Sequence, residues 1–396
     1  MSEWKEYKLG SLAEITSSKR IFYSDYVSEG IPFFRSKEII ERSLGESGGE
    51  PLYISRDKYF EIKEKFGAPE DGDLLISAVG ERAGIPYVVK NQGDFYFKDG
   101  NLIWLRNIKP ELNCTYFNYW LKSNVGQQTL ENIMIGSAQK ALTIIGLKHL
   151  TISLPSPSYQ GIVAETLSSL DDKIALLHRQ NKTLEALAET LFRQWFVEEA
   201  EEGWETGKLG DFGKIICGKT PSKKIHSYFG GDIPFIKIPD MHGKTFVFDT
   251  EDTLTEEGAK SQRNKFLPPK SISVSCIATV GLVTMNAFDS QTNQQINSII
   301  PSKEIYRYFL YLKLATMKDE LLAMASGGTA TDNLNTGNFS DIDIIKPDDN
   351  LLGNFHNQVQ VFFDKIFTNQ TQIRTLTRLR DTLLPKLMSG DVRVEN

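Results

Sequence analysis

The sequence predicts an α+β fold of two pseudo-symmetric α/β domains joined by two long antiparallel coiled-coil helices. Three observations predict it. Trp4 followed by KLGSLAEI (8–15) returns as Trp204 followed by KLGDFGKI (208–215), so the chain carries an internal repeat with a period of about 200 residues. Within each copy, β-branched runs end in glycine turns, as strands feeding exposed loops do. Each copy then closes in a long segment whose apolar residues recur at alternating spacings of three and four, a heptad seam.

The opening words place Leu9 and Ile15 against Leu209 and Ile215 as the buried start of each copy. AEITSSKR then faces GKIICGKT: a strand leads into a basic, hydroxyl-rich turn that shares Lys19 and Lys219, followed by Arg20 in one copy and by Lys223 and Lys224 in the other. IPFFRSKEI (31–39) faces IPFIKIPDM (233–241), each an apolar run that turns basic at Arg35 or Lys237. GDLLISAVGERAGI (72–85) corresponds to PKSISVSCIATVGLV (269–283), with the glycine turn at Gly80 or Gly281. IGSAQKAL (135–142) matches SGGTATDNL (326–334), and runs of such small polar residues read as loops.

The first seam runs through Leu167, Leu170, Ile174, Leu177, Asn181, Leu184, Ala188 and Leu191. Shifted by 192 residues, the second runs through Val359, Phe362, Ile366, Asn369, Ile373, Leu376 and Leu383. Loops PSPSYQ and KPDDNLLGN precede the two helices. A repeat related by a two-fold axis sets the helices antiparallel, and a register centred near residue 179 puts Asn181 opposite Asn369, a buried pair that fixes alignment at some cost in stability. The expected segments are a first domain over 1–155, a central helix over 156–200, a second domain over 201–347 and a C-terminal helix over 348–396.

At 396 residues, 24% charged and 40% hydrophobic, the chain has room for two or three compact domains. No apolar run approaches the ~18 residues of a membrane span. The opening MSEWKEYKLG is charged where a signal peptide needs an apolar stretch, which reads as a cytoplasmic protein. Cys114, Cys217 and Cys276 are far apart and the five histidines are scattered, so neither a disulfide frame nor a metal site is indicated. The net charge of −6 is uneven: residues 151–204 hold 4 Lys+Arg against 9 Asp+Glu, leaving the flanking segments nearly neutral. Any DNA-binding face is therefore a local patch.

GKIICGKT (213–220) satisfies the phosphate-loop pattern, in which Gly213, Gly218, Lys219 and Thr220 would bind a nucleotide. Ile215 and Ile216 favour a strand there, and Pro221 stands where the phosphate-binding helix should propagate. No serine-hydrolase elbow, dinucleotide fingerprint or amino-methyltransferase motif is present, so the residues read as a binding protein. A nucleotide-binding protein and a coiled-coil scaffold without DNA are the two other readings.

The doubled order of a domain opening with WxxxKLGxxxxI and a heptad helix, ending in LRDTLLPKLMSGDVRV, resembles the specificity subunit of a bacterial type I restriction-modification system. The resemblance covers essentially the whole chain. It implies two target-recognition domains, each reading one half of a split DNA sequence, and helices that set the spacing and dock modification subunits, two of them expected. It also implies a non-catalytic chain without its own cofactor or metal: S-adenosylmethionine would sit on the modification subunits, and ATP and Mg on the restriction subunits. Loops that combine charge with hydrogen-bonding groups are the candidate DNA contacts, because Arg and Lys read guanine while Asn and Gln read adenine. In the first copy these are Lys19, Arg20, Arg35, Lys37, Arg82, Gln139 and Lys140; in the second, Lys219, Lys223, Lys224, Lys237, Thr329, Thr331 and Asn333.

Overall fold

The computed structural model describes residues 4–45, 49–136, 140–200, 203–326 and 333–392. These form two compact units, one of residues 1–175 and 374–396, the other of residues 176–373. Each of the two long helices is thus shared between the units.

In the first unit, Lys5–Lys8 pairs antiparallel with Thr151–Leu154, zipping the two ends of the globular copy together. A four-stranded antiparallel sheet follows the order Glu14–Thr16, Leu102–Arg106, Leu74–Ser77, Pro86–Val88. A second sheet follows Tyr26–Val27, Leu52–Ile54, Ile31–Phe34, Tyr96–Phe97, with its last pair parallel. The second unit repeats the plan: Glu205–Lys208 pairs with Asp343–Lys346. Its five-stranded sheet runs Gly213–Cys217, Ile296–Pro301, Ile272–Ser275, Val283–Asn286, Phe246–Val247. Its three-stranded sheet runs Asp252–Leu254, Phe229–Ile236, Gln291–Thr292, again with a parallel last pair. The strand Phe246–Val247 has no counterpart in the first unit among the described residues.

The repeated KLG has a steric cause. Leu9 N–H donates to the Leu150 carbonyl (2.9 Å) and Leu209 N–H to that of Ile342 (2.8 Å), which presses the next residue onto a short helix. A β-carbon on Gly10 would lie 2.9 Å from the Lys148 carbonyl oxygen, and one on Gly210 would lie 2.4 Å from Ser340 Oγ. Glycine is the residue that fits such an approach.

The glycine turns align differently from the sequence reading. Ser77 Oγ accepts from Ile85 N–H and Ser275 Oγ from Leu282 N–H, both at 2.9 Å. The residues just before these donors are Gly84 and Gly281, whose N–H groups bond the carbonyls of Ser77 and Ser275. Gly281 (φ 89°) therefore answers Gly84 (φ 92°), and Gly80 belongs to a turn within the longer first-copy loop. The spacing misled because that loop holds one more residue between its serine and its glycine.

The long helices span Pro157–Arg193 and Asp349–Ser389. Both begin inside the stretches read as loops: Pro157 occupies the first helical position, where its missing N–H costs nothing, and Asp348 Oδ1 accepts from Asn350 and Leu351 N–H at 2.9 and 3.0 Å. In the second unit the helices run antiparallel, since Asn181 meets Asn369 and Phe192 meets Phe355. In the first unit Asp171 bonds Arg380 (2.8 Å) and the Tyr159 hydroxyl bonds the Leu387 carbonyl (3.3 Å), so the segments are antiparallel there too.

Along the seam, Leu177, Asn181, Ile366 and Asn369 are buried, while Leu170, Ile174, Leu184, Phe362, Ile373 and Leu376 are half-buried. Asn369 Nδ2 donates to Asn181 Oδ1 at 2.8 Å. The helix Asp349–Ser389 also serves its own unit: Phe363, beside Phe362, stacks on Tyr308 at 4.3 Å and joins the large core with Leu352, Phe355 and Val359. The free cysteines are packing groups; burial pushes the Cys114 thiol up to about 12 and that of Cys276 up to about 11.

Candidate nucleic-acid interface

The strand Glu14–Thr16 ends at a turn held from below. Lys19 N–H donates to the Tyr96 hydroxyl (2.8 Å), Ser17 Oγ donates to the Leu102 carbonyl (3.1 Å), and Ile21 is buried beyond them. Lys19 is thereby raised to the surface, its Nζ 4.6 Å from the Phe66 ring centre, a cation–π contact. It borders a 440 Å³ cleft that also takes Lys65, Trp104 and Arg106. Sequence reasoning missed Lys65 and Arg106. Arg106 stands 92 residues from Glu14, its partner at 2.6 Å, so only the strand register brings them together. Hydrogen bonding to Arg106 holds the Glu14 carboxyl below its ordinary range against a smaller burial effect.

The matching turn in the second unit is held by backbone carbonyls, where the Lys19 amide uses a side-chain hydroxyl. Lys219 N–H donates to the Thr292 carbonyl (2.9 Å) and Gly218 N–H to that of Ile296 (3.0 Å). These bonds overturn the phosphate-loop reading: Gly213–Cys217 is a strand paired with Ile296–Pro301, and the Gly218 and Lys219 amides already have partners. Lys219, Lys223 and Lys224 are exposed, and none has an ion-pair partner among the described residues. Such cations suit phosphate contact, which positions a protein on a duplex without reading it.

The other candidates divide by what already holds them. Arg35 and Lys237, matched by sequence, share an internal job. Arg35 N–H donates to Glu38 Oε2 (2.7 Å) and Lys237 N–H to Asp240 Oδ2 (2.8 Å), each opening a helix. The Arg35 guanidinium also grips Glu38, and Lys237 Nζ lies 3.1 and 2.9 Å from Glu251 and Asp252. Arg20 pairs with half-buried Asp99 (3.0 Å), Lys37 with half-buried Glu41 (3.7 Å) and Lys140 with exposed Glu131 (3.6 Å); all three cations are exposed, and such surface pairs are of small worth that DNA could exchange. Arg82 is exposed in the Gly80 turn, and Asn333 is exposed beside its bridge to Ile277. Gln139, Thr329 and Thr331 lie outside the described residues.

Both units thus present a cationic turn at one place on one scaffold, the build of a tandem binding protein. Residues 1–186 and 201–375 each match the type I restriction modification DNA specificity domain. The chain belongs to that family. The HindI specificity subunit of Haemophilus influenzae is 33% identical, over 99% of this chain and 100% of that protein. The MjaIX specificity subunit of Methanocaldococcus jannaschii is 29% identical, over 99% of this chain and 94% of that one. The fold is shared with the crystal structure of a type I restriction-modification S subunit from M. genitalium, at a TM-score of 0.65 and 19% identity over 97% and 96% of the two chains. Among the described residues no helix is long and apolar enough to cross a membrane.

Proposed function

We propose that this DNA specificity subunit reads a bipartite target, one half with each unit, and that the long helices set the gap between halves. The observation that carries this is the repeated strand order with unlike side chains: one frame delivers two different surfaces to DNA. Lys19, Arg20, Arg82 and Lys140 face the first half-site; Lys219, Lys223, Lys224 and Asn333 face the second. Arg35, Lys37 and Lys237 reach DNA only by exchanging their internal partners.

The chain itself is non-catalytic in this reading. Methylation of adenine, with S-adenosylmethionine, belongs to two modification subunits docked on the helices. Cleavage, with ATP and Mg, belongs to restriction subunits of the same cytoplasmic complex.

Mapping methylated adenines in a host that expresses this chain with its modification subunit tests the proposal. Two short blocks of specified bases around a fixed gap are expected. Four residues inserted at matching places in both helices should widen the gap by ~6 Å, or about two base pairs. An undivided target, or an unchanged gap in the insertion variant, overturns it.

A further inference from the structure

Beyond the cationic turn, each unit carries a short tip. In the first it is the 3-10 turn Tyr23–Asp25, preceded by Phe22; in the second it is His226–Tyr228, preceded by Ile225. The tips are equivalent, because the residues that follow them, Tyr26 and Phe229, pair with Ile54 and Leu254 in matching strands. Their chemistry differs. Phe22 is 63% and Tyr23 88% exposed, whereas the second tip holds a 40% exposed Ile225 behind Lys223 and Lys224.

The exposed rings of the first unit are rigidly backed. Ile21, immediately before them, is buried in a small core with Phe33 and Tyr59. Phe22 N–H donates to Asp25 Oδ2 (3.0 Å) and Asp25 N–H to the Phe22 carbonyl (2.9 Å), which locks the turn. Tyr23 meets Tyr26 edge-on with ring centres 5.7 Å apart, and Tyr26 meets the buried Phe33 at 5.4 Å. An aromatic ladder therefore runs from the core to the tip. Two large rings held in water by such a frame are costly unless a partner covers them. The adjacent cations point to a polyanion: Lys19 and Arg20 precede the rings by three residues each, Lys19 without an ion-pair partner among the described residues.

We propose that Phe22 and Tyr23 form an aromatic wedge that enters the DNA duplex at the first unit's half-site, unstacks a base step and kinks the helix. Apolar side chains inserted between base steps act in this way, and flanking cations hold the phosphates on either side. The second unit has no such wedge at the matching tip and holds its half-site through Lys219, Lys223 and Lys224. One chain thus reads DNA by deformation at one end and by phosphate attraction at the other.

The inference rests on the proposed bipartite recognition, and the test separates the two. The chain is assembled with its modification subunits and bound to duplexes of the mapped target carrying 2-aminopurine at successive positions of both half-sites. A several-fold rise in fluorescence is expected at one step of a single half-site. In Phe22→Ala/Tyr23→Ala the rise should vanish and affinity fall about 10-fold, with the salt dependence unchanged. Phe22→Leu/Tyr23→Phe should keep the rise, since an apolar wedge remains. Lys223→Ala/Lys224→Ala should keep it too and lower the slope of log K against log salt by about 2. Specific binding with no rise at any position, or a rise that survives the double alanine change, overturns the wedge and leaves bipartite recognition standing. Absence of sequence preference in the assembled parent complex overturns both.

Discussion

Across the central strand pair of the first unit Leu75 stands opposite Trp104, and at the same places in the second unit Ser273 stands opposite Ser298. The next strand pair repeats the contrast, with Phe33 and Phe34 beside Tyr96 and Phe97 in one unit and Phe235 and Ile236 beside Gln291 and Thr292 in the other. The first interior is held by rings: Phe97 meets Trp104 edge-on at 5.8 Å, and Trp104 Nε1 donates to buried Asp73 at 2.8 Å. The matching layer of the second is stitched by side-chain hydrogen bonds, while rings such as Phe212 and Phe309 pack elsewhere in its core. Ser273 and Ser298 bond each other at 2.9 Å, and Asn286 Nδ2 donates to the carbonyls of Leu267, Pro268 and Phe288. A backbone ladder does not dictate apolar contents; it accepts polar side chains where donors such as Asn286 Nδ2 find partners, although Asn286 Oδ1, Gln291 Oε1 and Thr292 Oγ1 have none among the described residues.

Substitutions that remove one kind of filling should separate the units. Trp104→Ala empties the largest buried side chain of the first unit and strips Asp73 of a donor, so it should cost about 3–5 kcal/mol. Hydrogen exchange resolved by peptide should show first-unit strands opening while second-unit strands stay protected. Asn286→Ala makes the reciprocal change, leaving three carbonyls with a lost donor at a cost of about 2–3 kcal/mol, and the same measurement should localise the loss to the second unit.

The capping pair Arg35–Glu38 sharpens the contrast through pH. Burial pushes the Glu38 carboxyl up, but the Arg35 guanidinium and backbone N–H bonds outweigh it and hold the group below its ordinary range. Glu38 therefore contributes stability that is complete above its unfolded value near 4.5 and is lost as pH falls through its lower folded value. Denaturant titrations from pH 7 downward should show part of the first unit's stability disappearing below that range, and Glu38→Gln should lack that component. The smallest effect belongs to Ser273→Ala with Ser298→Ala. Removing both partners together leaves nothing unpaired, so stability should change by less than about 1 kcal/mol, whereas either single change should cost more than half of what the pair does.

Much of the frame was legible because it follows from periodicity. A 192-residue shift aligned the two seams, and Asn181 and Asn369 were placed together by counting heptads. The repeated words at Lys8 and Lys208 marked each copy because a glycine is needed where the chain crosses a helix at contact distance. Side-chain partners were less legible. Arg35 and Lys237 look like DNA contacts by residue type, but Glu38 and Asp240 three residues on turn both positions into helix starts. That spacing was in the sequence and could have been read as a capping box. The Arg106–Glu14 pair could not, since its register depends on how far apart two strands begin. Likewise, nothing in the composition of FYSDY tells that Ile21 is buried and Phe22 and Tyr23 are not.

The core of the first unit includes Leu387 and Met388, and the Tyr159 hydroxyl bonds the Val392 carbonyl at 3.0 Å. During synthesis, then, the half of the protein that leaves the ribosome first is the half that finishes last. At ~5–20 residues per second the earlier strands wait roughly 10–40 s for their closing segment, whereas the later unit, residues 176–373, is one continuous stretch. A nonsense codon just before Leu387 would therefore damage the core of the unit whose strands were made roughly 200 or more residues earlier.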